Sequence, residues 1–511
     1  MKSKQFSRIL AVTMAGIITI SAVGCSSQGN NTNSDKKKEK ESIVKMAVSS
    51  EPDNLNPMMS SATDTQAMMM NVYEGLLTFD KNGNFLPALA ESYDIKDGGK
   101  TYDFKLKKDI EFHNGDKFDS GDVKYTYETL AGLNGKEPLN ETLANELIAV
   151  ETPDKNHVQL KLNQVDAGFL SKCTISIQDE EYTNDSEKPI GTGPYKFKEY
   201  VQGQKLILEK NKNYKTLKER TPEIDRVEFK IMTDSNAVLM ALQSGDLDIA
   251  SVEPRNMKSL ESDFNSIEGP QNMVQIFALN NSIEPFNKLE VRQAINYAVN
   301  KKEIIDTVMQ GHGTQLESFL SPSMKNYYND DIKSYNTNIE KAKELLAKAG
   351  YPNGFQMTIT VPSNYQAHVD TAQMLKDQLA KVGIKVDIQL IEWAQWLDTV
   401  YSKAEYEATV IGHSGKLDPQ DFLNRFTTTY AKNYFKYSNP EYDQKIIEAA
   451  SITNETNRAE IYKECQQMLA DDAASVFIQD PSIHYAVRKN IEGMQIYPVT
   501  FFDMGSLRIT E

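Results

Sequence analysis

The residues able to ligate, cleave or transfer are few here, and their spacing is wrong for each reaction they suggest. Six histidines, His113, His157, His312, His368, His413 and His484, are scattered through 511 residues. None forms the His-Glu-x-x-His pattern or another pair at metal-ligand spacing. Gly412-His413-Ser414-Gly415 approaches a nucleophile elbow, but Lys416 fills its final glycine position. Gly99-Lys100-Thr101 ends like a phosphate loop, yet Asp94 stands where its first glycine belongs, and Lys196 occupies the third-glycine slot of a dinucleotide fingerprint begun at Gly191. The expectation is therefore a protein that is not an enzyme and carries no cofactor. The stretch from Val410 to Pro419 places His413, Ser414, Gly415, Lys416 and Asp418 directly after an apolar run. His413 is either a ligand for a divalent transition metal or a packed residue, and Lys416 either meets a carboxylate or is solvated.

Composition narrows the class. A formal charge of −16 argues against a nucleic-acid partner, which wants a basic face. The length exceeds what one hydrophobic core supports, so two or more lobes are expected. The three cysteines, Cys25, Cys173 and Cys465, form no Cys-x-x-Cys pair, so neither a disulfide framework nor a zinc ribbon is predicted.

Residues 1–24 read as an export signal: Lys2, Lys4 and Arg8 precede an apolar run from Ile9 to Ile20, too short and too one-sidedly flanked to span a membrane. Ala22-Val23-Gly24-Cys25 resembles a bacterial lipobox, with Ala22 where leucine is usual. Processing there would leave a lipidated Cys25 and an anchor at the extracytoplasmic face of the cell membrane. Residues 25–42 lack large apolar side chains after the cysteine and read as a disordered tether.

The elements that must position a site follow from periodicity. Ile43–Val48 is a predicted strand, and a helix is predicted to follow and to end in Tyr73–Leu77. Tyr102, Phe104 and Leu106 alternate with polar residues, as do Val158, Leu160 and Leu162, giving strands with one buried face. Phe112–Gly115 reads as a turn, and a helix is predicted after Ser120-Gly121-Asp122. A helix over about 235–243 stops at Gly245. Val291, Ala294, Ile295 and Ala298 recur at helical spacing. Thr337 and Glu340 suggest a capping box for the helix that Gly350 and Pro352 end. Strands at 357–361 and 384–390 flank a helix near 368–382 as one βαβ unit.

The stretch from Leu86 to Glu128 carries a longer pattern. Its Ala90, Gly98, Thr101, Tyr102, Phe104, Leu106, Lys107, Asp109, Ile110, Phe112, Asn114 and Gly115 closely resemble the signature of the family 5 extracellular solute-binding proteins, the peptide- and nickel-binding receptors of ABC importers. Gly191–Tyr195, Glu290–Ile305 and Lys341–Phe355 are similar to further family segments.

That resemblance implies an α/β protein with a two-lobed periplasmic-binding-protein-like fold. Lobe I would comprise 43–272 with an inserted subdomain at about 80–188, lobe II 273–487, and 488–511 would return to lobe I. It implies a monomeric receptor that captures di- or oligopeptides in an interlobe cleft and delivers them to permease subunits driven by a separate ATPase. The expected cleft residues are Ser60, Ser61, Trp396, His413, Ser414, Gly415, Lys416 and Asp418. The aspartate that many peptide receptors place shortly before the Asp-Pro pair is missing, since Gly415 or Lys416 fills that slot. Two alternatives stay open: a nickel or metal-chelate receptor of the same family using His413, and a ligand-sensing or adhesive surface lipoprotein.

Overall fold

The computed structural model describes residues 41–333 and 335–510; the predicted signal, Cys25 and most of the tether lie outside them. Within residues 42–511 the chain is a two-lobed α/β protein organised on one twelve-stranded mixed sheet. Numbered in chain order, its strands are β1 (Ile43–Val48), β2 (Tyr195–Val201), β3 (Lys205–Lys210), β4 (Arg226–Ile231), β5 (Ile249–Ser251), β6 (Phe264–Pro270), β7 (Val274–Leu279), β8 (Gly313–Gln315), β9 (Gln356–Pro362), β10 (Lys385–Ile391), β11 (Ala408–His413) and β12 (Ser475–Arg488). The spatial order is β10-β9-β11-β7-β12-β5-β1-β4-β3-β2, with β6 and β8 also paired to β12.

Strand β12 explains how one sheet serves two lobes. Its first residues, Ser475 to Gln479, pair with β7, and its last, Tyr485 to Val487, pair with β5. Val274, Ile276, Phe277 and Val476 belong to hydrophobic clusters built wholly from residues 274–478, whereas Tyr485 and Val487 pack with Val44, Met46 and Phe229. The chain therefore crosses between cores twice, at residues 271–273 and within β12. Asp480 pins both crossings: its buried carboxylate accepts from the backbone N–H of Gln271 (3.1 Å) and Met273 (3.2 Å) and from the Ser321 hydroxyl.

A separate four-stranded antiparallel sheet is built from strands within residues 90–162. Thr101–Leu106 pairs with His157–Leu162 so that Tyr102 faces Leu160 and Phe104 faces Val158, all fully buried. The period-two alternation predicted there is the buried face of this sheet. The βαβ unit also forms, with β9 and β10 parallel around the helix Gln366–Ala380.

Two local expectations are corrected. The first helix ends at Met69 instead of running to Leu77. Carbonyls of the following residues have partners elsewhere: Asn71 O accepts from Tyr195 N–H, Val72 O from Gly193 N–H, and Glu74 O from Ile177 N–H. A Cβ at Gly193 would lie 2.5 Å from Asn71 O, so the glycine turn is what lets this segment be gripped. Tertiary hydrogen bonding thus displaces a pattern that reads as helix. The helix Ile339–Lys348 is capped by Asn338, whose Oδ1 accepts from Lys341 N–H at 2.9 Å; Thr337 instead donates to Val299 O.

Candidate functional site

A cavity of about 630 Å³ lies where the two cores meet. Pro57, Ser60, Gln66 and Met69 wall one side, and Ser414, Gly415, Lys416, Leu417 and Asp421 the other. Gln271, Met273, Ile483 and Tyr485 of the crossings form part of its lining, and residues 495–501 close a further side. Its size suits a small organic ligand or short peptide segment.

The loop after β11 sorts its residues by what they bond to. His413 at the strand end is buried and does not line the cavity. Arg425, which can only donate, points Nη1 at its Nδ1 (3.3 Å), so the ring proton sits on Nε2, 2.7 Å from the Tyr434 hydroxyl. Burial, reinforced by Arg425 and His368, holds this imidazole neutral, well below its ordinary range. Both ring nitrogens face protein partners, and neither faces the cleft.

Ser414, Gly415 and Lys416 do reach the cavity wall. Gly415 is there because nothing larger fits: a Cβ would lie 2.6 Å from Asn272 Nδ2, Asn272 O and Pro498 O. Asn272, held at φ 52°, donates its amide to Lys416 O (3.0 Å) and Pro498 O (2.9 Å), tying the loop to a crossing and to the C-terminal segment. The Lys416 ammonium has no hydrogen-bond or ion-pair partner among the described residues and is exposed.

Asp418 and Asp421 differ sharply. Asp418 is buried in a bidentate pair with Arg458 at 2.7 and 2.8 Å, and its Oδ1 also accepts from Gln420 N–H. Both oxygens are satisfied, so it fixes the loop against the helix Glu455–Asp471. The Asp421 carboxylate opens on the cavity with no such partner among the described residues. It is accessible to water inside the cleft yet enclosed by protein around its rim. Desolvation and the Asp418 charge push its pKa up to about 6, against the opposing pull of Lys172 and Lys416.

Of the remaining predicted residues, Ser60 lines the cavity and Ser61 does not. Both hydroxyls donate to Asp53, at 3.0 and 2.9 Å, which also accepts from the backbone of Ser61 and Ala62. Burial opposes the charge, but these hydrogen bonds prevail and hold the Asp53 carboxyl far below its ordinary range. The serines thus shape the loop that faces the cleft. Trp396 is in the second-lobe core, donating to Thr409 Oγ1 at 3.0 Å and stacked on Trp393. Asp421 and the 495–501 wall are not among the residues expected from the sequence; the only local signal for Asp421 is a second acid three positions after Asp418 of the Asp-Pro pair.

Comparison with known proteins agrees with this architecture. Residues 84–434 match the family described as bacterial extracellular solute-binding proteins, family 5 middle. Di/tripeptide-binding protein 1 of Pseudomonas aeruginosa (strain UCBPP-PA14) is 32% identical over 483 residues, 86% of this chain and 89% of that protein. Oligopeptide-binding protein AppA of Bacillus subtilis (strain 168) is 30% identical over 97% of both chains. Its structure in complex with a nonapeptide superposes with TM-score 0.75 at 26% identity, over 92% of this chain and 100% of that one. The ABC transporter substrate-binding protein CtaP of Listeria monocytogenes superposes with TM-score 0.83 at 27% identity, over 92% and 100% respectively.

Proposed function

Since the chain belongs to the family 5 extracellular solute-binding proteins, which are substrate-binding receptors and not enzymes, we propose that it captures short peptides between its lobes for an ABC importer. The observation that carries this reading is the pair of charges on the cavity wall, Asp421 and Lys416, that have no hydrogen-bond or ion-pair partner among the described residues. A peptide brings an α-ammonium and a carboxylate. Asp421 supplies an anion for the first in a partly desolvated cleft, and Lys416 a cation for the second. Asp421 thereby takes the part that the residue before Asp-Pro lacks. Backbone hydrogen bonding along the cleft leaves peptide side chains loosely specified. The peptide relatives named above support this ligand class.

The anatomy proposed with it is lobe I at 43–272, lobe II from 273 to about 480, and a return to lobe I from there through the C-terminal segment, the crossing falling within β12 near Asp480 and not at the expected 487. Ligand contact with both walls favours the closed form. Residues 1–24 are removed, Cys25 is lipidated, 25–42 tether the receptor to the outer face of the membrane, and the loaded monomer docks on a permease with a separate ATPase.

The test is to purify the protein under mild conditions, denature it, and analyse released material for peptides and metals by mass spectrometry. Short peptides are the expected result. Stoichiometric nickel without peptide would instead move the protein to metal-chelate capture. An unaltered uptake phenotype on deleting a neighbouring permease would favour sensing or adhesion. In calorimetric titration, acetylating the peptide amine is expected to weaken binding about thirtyfold, the scale of one lost buried charge pair.

A further inference from the structure

We propose that Glu268, His312 and His484 form a binding site for a divalent transition-metal ion on the reverse side of the lobe crossing. The three residues come from three elements. Glu268 and His484 sit opposite one another in the β6–β12 pairing, and His312 sits in the turn just before β8. Glu268 Oε1 lies 3.1 Å from His312 Nδ1 and 3.4 Å from His484 Nε2, and one donor atom from each residue falls within 4.8 Å of the others. Ligands about 2.1 Å from a tetrahedral zinc ion are about 3.4 Å apart, so the widest donor pair closes by about 1.4 Å at most to complete the set.

The strongest single observation is His484. It is 4% exposed, yet among the described residues its Nε2 finds no hydrogen-bond partner; the nearby Glu268 oxygen stands at ion-pair distance without hydrogen-bond geometry. A buried polar atom left this way is unusual and calls for a partner. The neighbouring side chains in β12, Ile483 and Tyr485, line the ligand cavity, so the alternation of the strand directs His484 to the opposite face. The site is therefore separate from the cleft.

The turn that presents His312 is held in place. Ser482 N–H donates to His312 O at 3.2 Å. A Cβ at Gly313 would come 2.3 Å from Gln479 Oε1, so glycine permits this close seating on β12. Two imidazoles and a carboxylate suit zinc, nickel or copper(II) better than magnesium or calcium, which prefer all-oxygen sets. Three protein ligands leave a fourth position for water. Because His312 follows the helix Lys301–Val308, whose Ile304 packs in the second-lobe core, while β6 and the end of β12 belong with the first lobe, a bound ion staples the crossing.

The experiment is calorimetric titration of zinc ion into purified, chelator-stripped protein without a histidine tag, repeated for His312→Asn, His484→Ala, Glu268→Gln and His413→Ala. The expected result is one equivalent bound by the parent and by His413→Ala, with affinity falling about a hundredfold or more on losing any of the three ligands. Cobalt(II) loading is expected to show tetrahedral d–d absorption that the same three variants lose. Half-exposed His312 is the variant least prone to unfold, and a matched melting profile confirms that it is folded. Failure of the parent to bind zinc, or equal binding by the folded His312→Asn variant, overturns the site.

Discussion

The two faces of the lobe crossing use similar side chains to opposite ends. Toward the cleft, Gln271, Met273, Ile483 and Tyr485 present mainly uncharged surface, and the nearby ionised groups, Asp421 and Lys416, are of opposite sign and separately exposed. Toward the back, Glu268, His312 and His484 crowd donor atoms to within 4.8 Å. Dispersed opposite charges match an extended zwitterion, whereas converging lone pairs match a single cation. Ligand class thus follows from how polar groups are left over after the protein has satisfied its own, more than from which residue types are present. His413 illustrates it: it stands nearer in sequence to the cleft loop than any other histidine, yet both its nitrogens have internal partners.

The largest effect is expected at the ion pair that shapes the cleft loop. Arg458→Met leaves the Asp418 carboxylate buried without its cation and is expected to lower stability by about 3–5 kcal/mol, measured by denaturant unfolding. Combining it with Asp418→Asn is expected to restore much of that loss, because no uncompensated charge remains. If Arg458→Met unfolds like the parent, Asp418 is not a structural anchor and returns to the list of ligand contacts.

Asp421→Asn inverts that pattern. It removes a charge with no internal partner, so stability should hold or rise slightly while peptide affinity falls by about 2 kcal/mol, roughly thirtyfold. Zinc affinity at the reverse face should not move, and His484→Ala should in turn leave peptide affinity intact. Coupled losses in both titrations would mean that the faces are not independent.

How far this division was legible in the sequence depends on the range of the contacts involved. The alternation of Tyr102, Phe104 and Leu106 with polar neighbours is a local consequence of strand geometry, and those residues are buried as expected. The helix expected to reach Leu77 was illegible because carbonyls of residues 71–74 are claimed by segments about a hundred or more positions away. Of the loop expected to face a ligand, Ser414, Gly415 and Lys416 line the cavity. Its internal assignment was hidden: Asp418 finds Arg458 40 residues on, and His413 finds Tyr434 and Arg425 only in the folded chain. The reverse face was wholly hidden, because the β6–β12 register that sets Glu268 against His484 has no local signature.

Titration sharpens the role of Asp421. Its pKa is raised to about 6 in the folded receptor, and an α-ammonium binds only the ionised form. As pH falls through about 6, protonation competes with the ligand, so peptide affinity is expected to be flat above about pH 7 and to weaken roughly tenfold per unit below 6 until the bound-state pKa is reached. The sign for folding is opposite. A raised carboxyl pKa favours the protonated folded state, so this group's penalty is absent at low pH and grows as pH rises from its unfolded value through about 6. A peptide Kd that stays constant from pH 7.5 to 5 would remove Asp421 as the ammonium partner.

The smallest expected effect is that of Lys416→Ala. The ammonium is exposed, so in reaching a peptide carboxylate it gives up hydration and rotamer freedom for a screened attraction worth about 0.2–1 kcal/mol, at most about fivefold in affinity. That loss should shrink further in high salt, whereas the Asp421→Asn loss, arising at a carboxylate whose pKa is already raised by desolvation and the Asp418 charge, should be largely retained once the ligand covers it. Peptide amides lacking the C-terminal carboxylate should bind the parent and the variant alike. If Lys416→Ala instead matches Asp421→Asn in size and resists salt, lobe closure desolvates the lysine, and the carboxylate end of the ligand is gripped as firmly as the amine.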